Sequence, residues 1–79
     1  MEIIVFSTKN CGYCARQKEF LIKHNIKFEE RDIHEDEKHY SEFKELGGLG
    51  TPFTIKKVSG KIVSKIMGFN EKQLLKNLI

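Results

Sequence analysis

The chain has 79 residues, 39% hydrophobic and 32% charged, with one proline; it suits a single domain over residues 1–79, at the small end of a range centred on roughly 100 residues, and excludes a disordered or collagen-like chain. The longest apolar runs, Ile3-Ile4-Val5-Phe6 and Phe20-Leu21-Ile22, fall far short of the ~20 residues of a membrane span, and no signal-peptide core follows the N-terminus, so a cytoplasmic protein that does not enter a membrane is expected. The net charge of +3 hides an acidic cluster (Glu29, Glu30, Asp32, Glu35, Asp36, Glu37) and a later group of lysines (Lys56, Lys57, Lys61, Lys65), but no arginine-rich run or basic-aromatic interleaving marks a nucleic-acid binder.

Ile3–Phe6, ended by Ser7-Thr8-Lys9-Asn10, predicts a central strand buried on both faces. From Cys11 to His24 there is no proline and one early glycine; Cys14, Gln17 or Lys18, Phe20 and Leu21 form an imperfect helical stripe, and Asn25 suits the left-handed position after a helix. Ile26-Lys27-Phe28-Glu29-Glu30 alternates and predicts a second strand, joined to the first by a right-handed parallel crossover. Asp36 and its neighbours can open a helix with Tyr40, Phe43 and Leu46 as its core stripe and Gly47 as its stop. Gly47-Gly48-Leu49-Gly50 follows a helix and opens a strand, the reverse of a phosphate cradle. Phe53–Lys57 and Lys61–Ile66 alternate about Ser59-Gly60 as an antiparallel hairpin. Gly68 then breaks the chain, Asn70 can cap with Gln73, and Leu74, Leu75, Leu78 and Ile79 line a terminal helix.

The only cysteines are Cys11 and Cys14. A bridge between them would close so short a loop that it constrains little unfolded-chain entropy, so stability is a poor reason for the pair. At the exit of a buried strand and the start of a helix, Cys11 meets unpaired backbone N–H groups and the positive end of the helix dipole, which favour a thiolate; ordinary thiols titrate near 8.5 and such thiols at about 3.5 to 7.5. Cys14, nearly one turn inside, is placed to resolve a mixed disulfide formed at Cys11. Gly12 removes bulk beside the attacking sulfur, Tyr13 offers an aromatic wall, and Lys9 and Arg16 can add positive charge. The rival reading is a small zinc-binding interaction module built from Cys11, Cys14, His34 and His39, with His24 the third histidine. The interval from Cys14 to His34 is longer than that of the usual finger, and a strand-helix-strand pattern intervenes, so all three histidines are expected at the surface and no metal is expected.

Cys11-Gly12-Tyr13-Cys14 after a hydrophobic strand, Thr51-Pro52 opening a later strand, and Gly68-Phe69-Asn70 before the last helix together resemble a glutaredoxin of the thioredoxin superfamily, over the whole chain. The resemblance implies an α/β, thioredoxin-like fold: a four-stranded mixed sheet in the order 2-1-3-4 flanked by three helices. It also implies a cis Thr51-Pro52 bond facing the cysteines, with the Thr51 backbone open to strand-like pairing with substrate. Lys9, Tyr13, Thr51, Pro52, Gly68, Phe69 and Asn70 would then form the substrate rim around Cys11 and Cys14, although Phe69 itself, a large apolar side chain in a loop, reads first as core packing. The implied activity is dithiol-disulfide exchange on protein disulfides by a monomer with no tightly bound cofactor, an electron carrier reduced either by glutathione or by thioredoxin reductase and NADPH.

Glutathione-using members commonly carry Pro where Gly12 stands, Val where Thr51 stands, and Gly-Gly followed by Asp where this chain has Gly68-Phe69-Asn70. Gly68-Phe69 also resembles the NrdH-type redoxins, which donate electrons to a ribonucleotide reductase. Asn70 cannot hold an ammonium group by charge, which favours a protein reductase over glutathione.

Overall fold

The computed structural model describes residues 2–78; Ile79, assigned above to the last helical face, lies outside them. The elements are β1 (Glu2–Ser7), α1 (Gly12–Lys23), β2 (Glu29–Asp32), α2 (Glu37–Glu45), β3 (Phe53–Val58), β4 (Lys61–Met67) and α3 (Glu71–Leu78). The strands form one sheet in the order β2-β1-β3-β4. β1 pairs parallel with β2 and antiparallel with β3, and β4 runs antiparallel to β3, the mixed sheet expected of a thioredoxin-like fold.

β1 is buried on both faces because each packs against helices. Ile3 and Val5 meet Leu21 of α1, Ile66 of β4 and Leu74 and Leu78 of α3. Ile4 and Phe6 meet Phe43 of α2 and Phe53 and Ile55 of β3. On that second face the rings of Phe6, Phe43 and Phe53 lie with centroids 5.7 to 6.1 Å apart, within the usual range for favourable aromatic pairs.

The second strand begins at Glu29, three residues later than its alternation suggests. The reason is the end of α1: Asn25, at φ 58°, donates to the Ile22 carbonyl, and Ile26 donates to the Leu21 carbonyl. That pattern is a left-handed helix cap whose closing apolar contact joins Ile26 to Leu21, so Ile26 finishes the helix before the chain is free to pair. The same cap ends α2, where Gly47 (φ 89°) and Gly48 donate to the Lys44 and Phe43 carbonyls. A Cβ on Gly48 would stand 2.4 Å from the Phe43 ring, so this position takes no side chain.

Two core assignments need correction. Tyr40 is 46% exposed, because α2 presents only Phe43 fully to the sheet, with Leu46 half-buried. Leu75 is 41% exposed: Leu74 and Leu78, four apart, take the inward face of α3 and turn Leu75 away. The hairpin turns through Ser59 (φ 54°) and Gly60 (φ 79°), both in the left-handed region that a tight two-residue turn requires. Beyond it, Ile62 pairs with Lys57 and Ser64 with Lys56, leaving Val63 as a bulge. Among the described residues no helix is long and apolar enough to cross a membrane.

Candidate active site

α1 is capped by a sulfur. Cys11, with extended backbone (φ −117°, ψ 108°), is its N-cap, and its Sγ accepts the Cys14 N–H at 3.2 Å. From the opposite side comes the segment entering β3, whose Thr51-Pro52 bond is cis. The Thr51 hydroxyl lies 3.6 Å from Cys11 Sγ as a donor, and the Thr51 carbonyl lies 3.7 Å away as an acceptor for the thiol proton. Pro52 is buried beneath, and its carbonyl accepts the Gly68 N–H at 2.8 Å, which draws the turn after β4 into the same neighbourhood.

The two thiols, both unbridged, occupy different environments. Burial pushes the Cys11 thiol up, but the Cys14 thiol, the Thr51 hydroxyl and the N–H groups of Cys14 and Tyr13 together outweigh it and leave Cys11 below its ordinary value. Cys14 is 1% exposed, and burial followed by the adjacent Cys11 sulfur raises it. The arrangement supplies one half-buried sulfur whose ionised form is favoured and, a turn away, one buried sulfur whose protonated form is favoured.

Of the expected rim residues, Thr51 meets Cys11 directly, Pro52 follows it across the cis bond, and Gly68 is bonded to Pro52. Tyr13 is 61% exposed beside it, with the Arg16 guanidinium 5.5 Å from its ring centroid, and a depression of about 290 Å³ is lined by Gly12, Tyr13 and Arg16. Lys9 pairs with Glu35 (3.4 Å), on the wall of a hollow also lined by Thr8, Asn10, Asp32 and His34. Phe69 is half-buried and packs edge-on against Phe20, so its contacts in the structure are with the core. Asn70 is exposed, and its Oδ1 accepts the Gln73 N–H at 3.1 Å as the expected cap. The candidate zinc ligands stay apart: His34 is exposed and His39 Nδ1 lies 3.2 Å from the Asp32 carbonyl, while the third histidine, His24, lies tilted against Phe20. Among the described residues no three His, Cys, Asp or Glu side chains could jointly hold a metal ion.

Several neighbours of the dithiol escaped the sequence reading. The Thr8 hydroxyl lies 3.5 Å from that of Thr51, and the Thr8 backbone partly offsets the rise of the Cys14 thiol. Lys18, four residues after Cys14, bonds Glu30 at 2.7 Å, and Glu30 accepts the Ser7 hydroxyl at 2.9 Å; the Lys18 bond is the main reason Glu30 is held below its ordinary value. Gln17 bonds Thr54 with both side chains fully buried. The i, i+3 and i, i+4 spacing from Cys14 was the available signal for Gln17 and Lys18.

The family model Glutaredoxin matches residues 3–53. No curated protein sequence matches the chain. Among solved structures, a variant of the thioredoxin-like protein BC3987 is 26% identical with a TM-score of 0.81, over 99% of this chain and 100% of that one. The Escherichia coli glutaredoxin-like protein NrdH-redoxin superposes with a TM-score of 0.84 at 16% identity, over 98% of this chain and 95% of its own. The glutaredoxin of Methanosarcina mazei gives 0.79 at 20% identity, over 98% and 77%. At those two identities the likeness speaks for the fold.

Proposed function

The chain belongs to the glutaredoxin family, whose members are thiol-disulfide oxidoreductases that need no tightly bound cofactor, and from that premise we propose that it reduces protein disulfides with Cys11 as nucleophile and Cys14 as resolving thiol. The Cys11 thiolate attacks one sulfur of a substrate disulfide; the S–S bond breaks, a mixed disulfide forms at Cys11, and the departing thiolate takes a proton. Cys14 then loses its proton and attacks the Cys11 sulfur, forming the Cys11–Cys14 disulfide and releasing the second substrate thiol. Two electrons have passed to the substrate. The supporting observation is the asymmetry of the pair, since Cys11 Sγ caps a helix and Cys14 is buried. Iodoacetamide at mildly acidic pH should label Cys11 of the reduced protein much faster than Cys14, and equal rates would sink the assignment.

The rim in this reading is Lys9, Tyr13, Thr51, Pro52, Gly68, Phe69 and Asn70, on a single-domain cytoplasmic monomer that carries electrons to disulfide-containing proteins, a ribonucleotide reductase among the candidate acceptors. For the electron donor we favour a protein reductase over glutathione. Asn70 brings no charge to an ammonium group, and its side-chain oxygen is already engaged by Gln73. Losing one charge-assisted hydrogen bond weakens binding by about 1.5 to 3 kcal/mol. A coupled NADPH assay, run with thioredoxin reductase and separately with glutathione and glutathione reductase, should turn over faster with the first; turnover with glutathione alone would reverse the assignment.

A further inference from the structure

The site is assembled from two elements that do not adjoin in sequence. Cys11 and Cys14 ride on α1, Thr51 and Pro52 lead into β3, and the contacts across the gap are long ones to sulfur, 3.6 and 3.7 Å. Hydrogen bonds weaken steeply as their geometry departs from ideal, so whatever fixes α1 on β3 also fixes the Cys11–Thr51 contacts. Among the described residues, one side-chain hydrogen bond joins the body of α1 to β3: Gln17 Nε2 donates to Thr54 Oγ1. Gln17 stands three residues after Cys14 on the same buried face, and Thr54 stands two after Pro52.

As a stabiliser this pair is poor. Both side chains are 0% exposed, and Gln17 Oε1 has no hydrogen-bond partner among the described residues. Turning the amide over would only change which half is unpaired. A leucine facing a valine could fill the space without desolvating an amide, and replacing both partners of a buried polar pair with apolar groups of similar shape is often neutral or stabilising. What an apolar contact lacks is direction: it tolerates sliding, whereas a donor facing an acceptor does not.

We propose that the Gln17–Thr54 pair is a positioning device for the dithiol, locking α1 to β3 in the seating that brings the Thr51 hydroxyl and carbonyl onto the Cys11 sulfur. This rests on Cys11 being the nucleophile. Gln17 and Thr54 are uncharged, so replacing them leaves the electrostatic surroundings of Cys11 in place. Those surroundings are Cys14, Tyr13, Arg16 and Lys18 on α1, Glu30 of β2 paired with Lys18, and Lys9 in the preceding loop paired with Glu35, while Thr51-Pro52 and Gly68-Phe69-Asn70 contribute no ionisable side chain.

The test is the pH profile of Cys11 alkylation by iodoacetamide, read beside the thermal midpoint, in the double variant Gln17→Leu with Thr54→Val, in Gln17→Met and in Thr54→Ser. The double variant should keep or raise the midpoint, whereas Gln17→Met, which leaves the buried Thr54 hydroxyl without its partner, should lower it modestly without unfolding the chain. Both should label Cys11 about three- to tenfold more slowly below the ordinary thiol range, because the thiolate fraction there falls tenfold per unit of pKa. Thr54→Ser, which keeps the hydroxyl, should label like the parent. An unchanged profile in the apolar variants, or a change seen only where the fold is lost, overturns the proposal. Should the double variant not fold, Gln17→Met, close in length and volume, decides alone. If the parent protein labels Cys11 no faster than Cys14, the assignment of the nucleophile has failed first, and the positioning role falls with it.

Discussion

α1 and α3 open in the same way with different atoms. In α1 the N-cap is Cys11, whose sulfur accepts the N–H three residues on at 3.2 Å; in α3 it is Asn70, whose amide oxygen accepts the N–H three residues on at 3.1 Å. Asparagine is among the best residues for that position, and cysteine is not among the preferred ones. α3 thus shows what the geometry looks like when the capping atom is not itself a nucleophile. In α1 a weaker cap takes the same seat, and the N–H groups that a cap normally satisfies instead favour the ionised form of a sulfur. The two helix starts separate stability from chemistry, and each substitution below tests how cleanly.

The largest effect is expected for Cys11→Ser. Serine is a preferred cap, so the thermal midpoint should hold or rise, by up to about 1 kcal/mol of stability, while disulfide reduction disappears entirely in an assay on a protein disulfide. Cys14→Ser should leave Cys11 reactive but unable to release its partner, so non-reducing electrophoresis should show mixed disulfides accumulating while turnover falls. Thr51→Val removes one donor to the Cys11 thiolate and nothing from the cap itself. It should move the alkylation profile of Cys11 towards that of an ordinary thiol, so that labelling slows most on the acid side and recovers as pH rises, with little change in the midpoint. At α3, Asn70→Ala should cost about 0.5 to 2 kcal/mol by thermal unfolding and leave Cys11 labelling untouched. Asn70→Asp should strengthen the cap at the positive end of the helix by about 0.3 to 1 kcal/mol. In the coupled assay it should also improve glutathione use, which sharpens the reading of the donor.

Features fixed by neighbouring residues were legible in the sequence: the left-handed Asn25, the Asp36 and Asn70 caps, the Gly47 stop and the Ser59-Gly60 turn. β1 was legible because four consecutive β-branched and aromatic residues leave no solvent face. β2 was misplaced because alternation in Ile26–Glu30 cannot reveal that Ile26 is already engaged in closing α1. Tyr40 and Leu75 were misassigned because periodicity gives the direction of a buried stripe and not its width. At the site, the cysteines followed from spacing and helix position, while Thr51, Pro52 and Gly68 came through resemblance. Spacing from Cys14 could place Gln17 on the same helix face, but its bond to Thr54, and the contacts of Thr8 and Glu30, join segments far apart in the chain, which no local pattern encodes.

The strand at one rim of the sheet, Glu29-Glu30-Arg31-Asp32, contains only charged residues, and Arg31 is tied to Glu29 and to Glu42 of α2. At the other rim, β4 carries Lys61 and Lys65 on either side of the Val63 bulge. Thiol-disulfide exchange on another chain requires contact with it, and open strand edges are where contact turns into aggregation. With ionic side chains along one border and a kink between lysines on the other, the sheet offers a passing copy no straight, uncharged row of amides to extend.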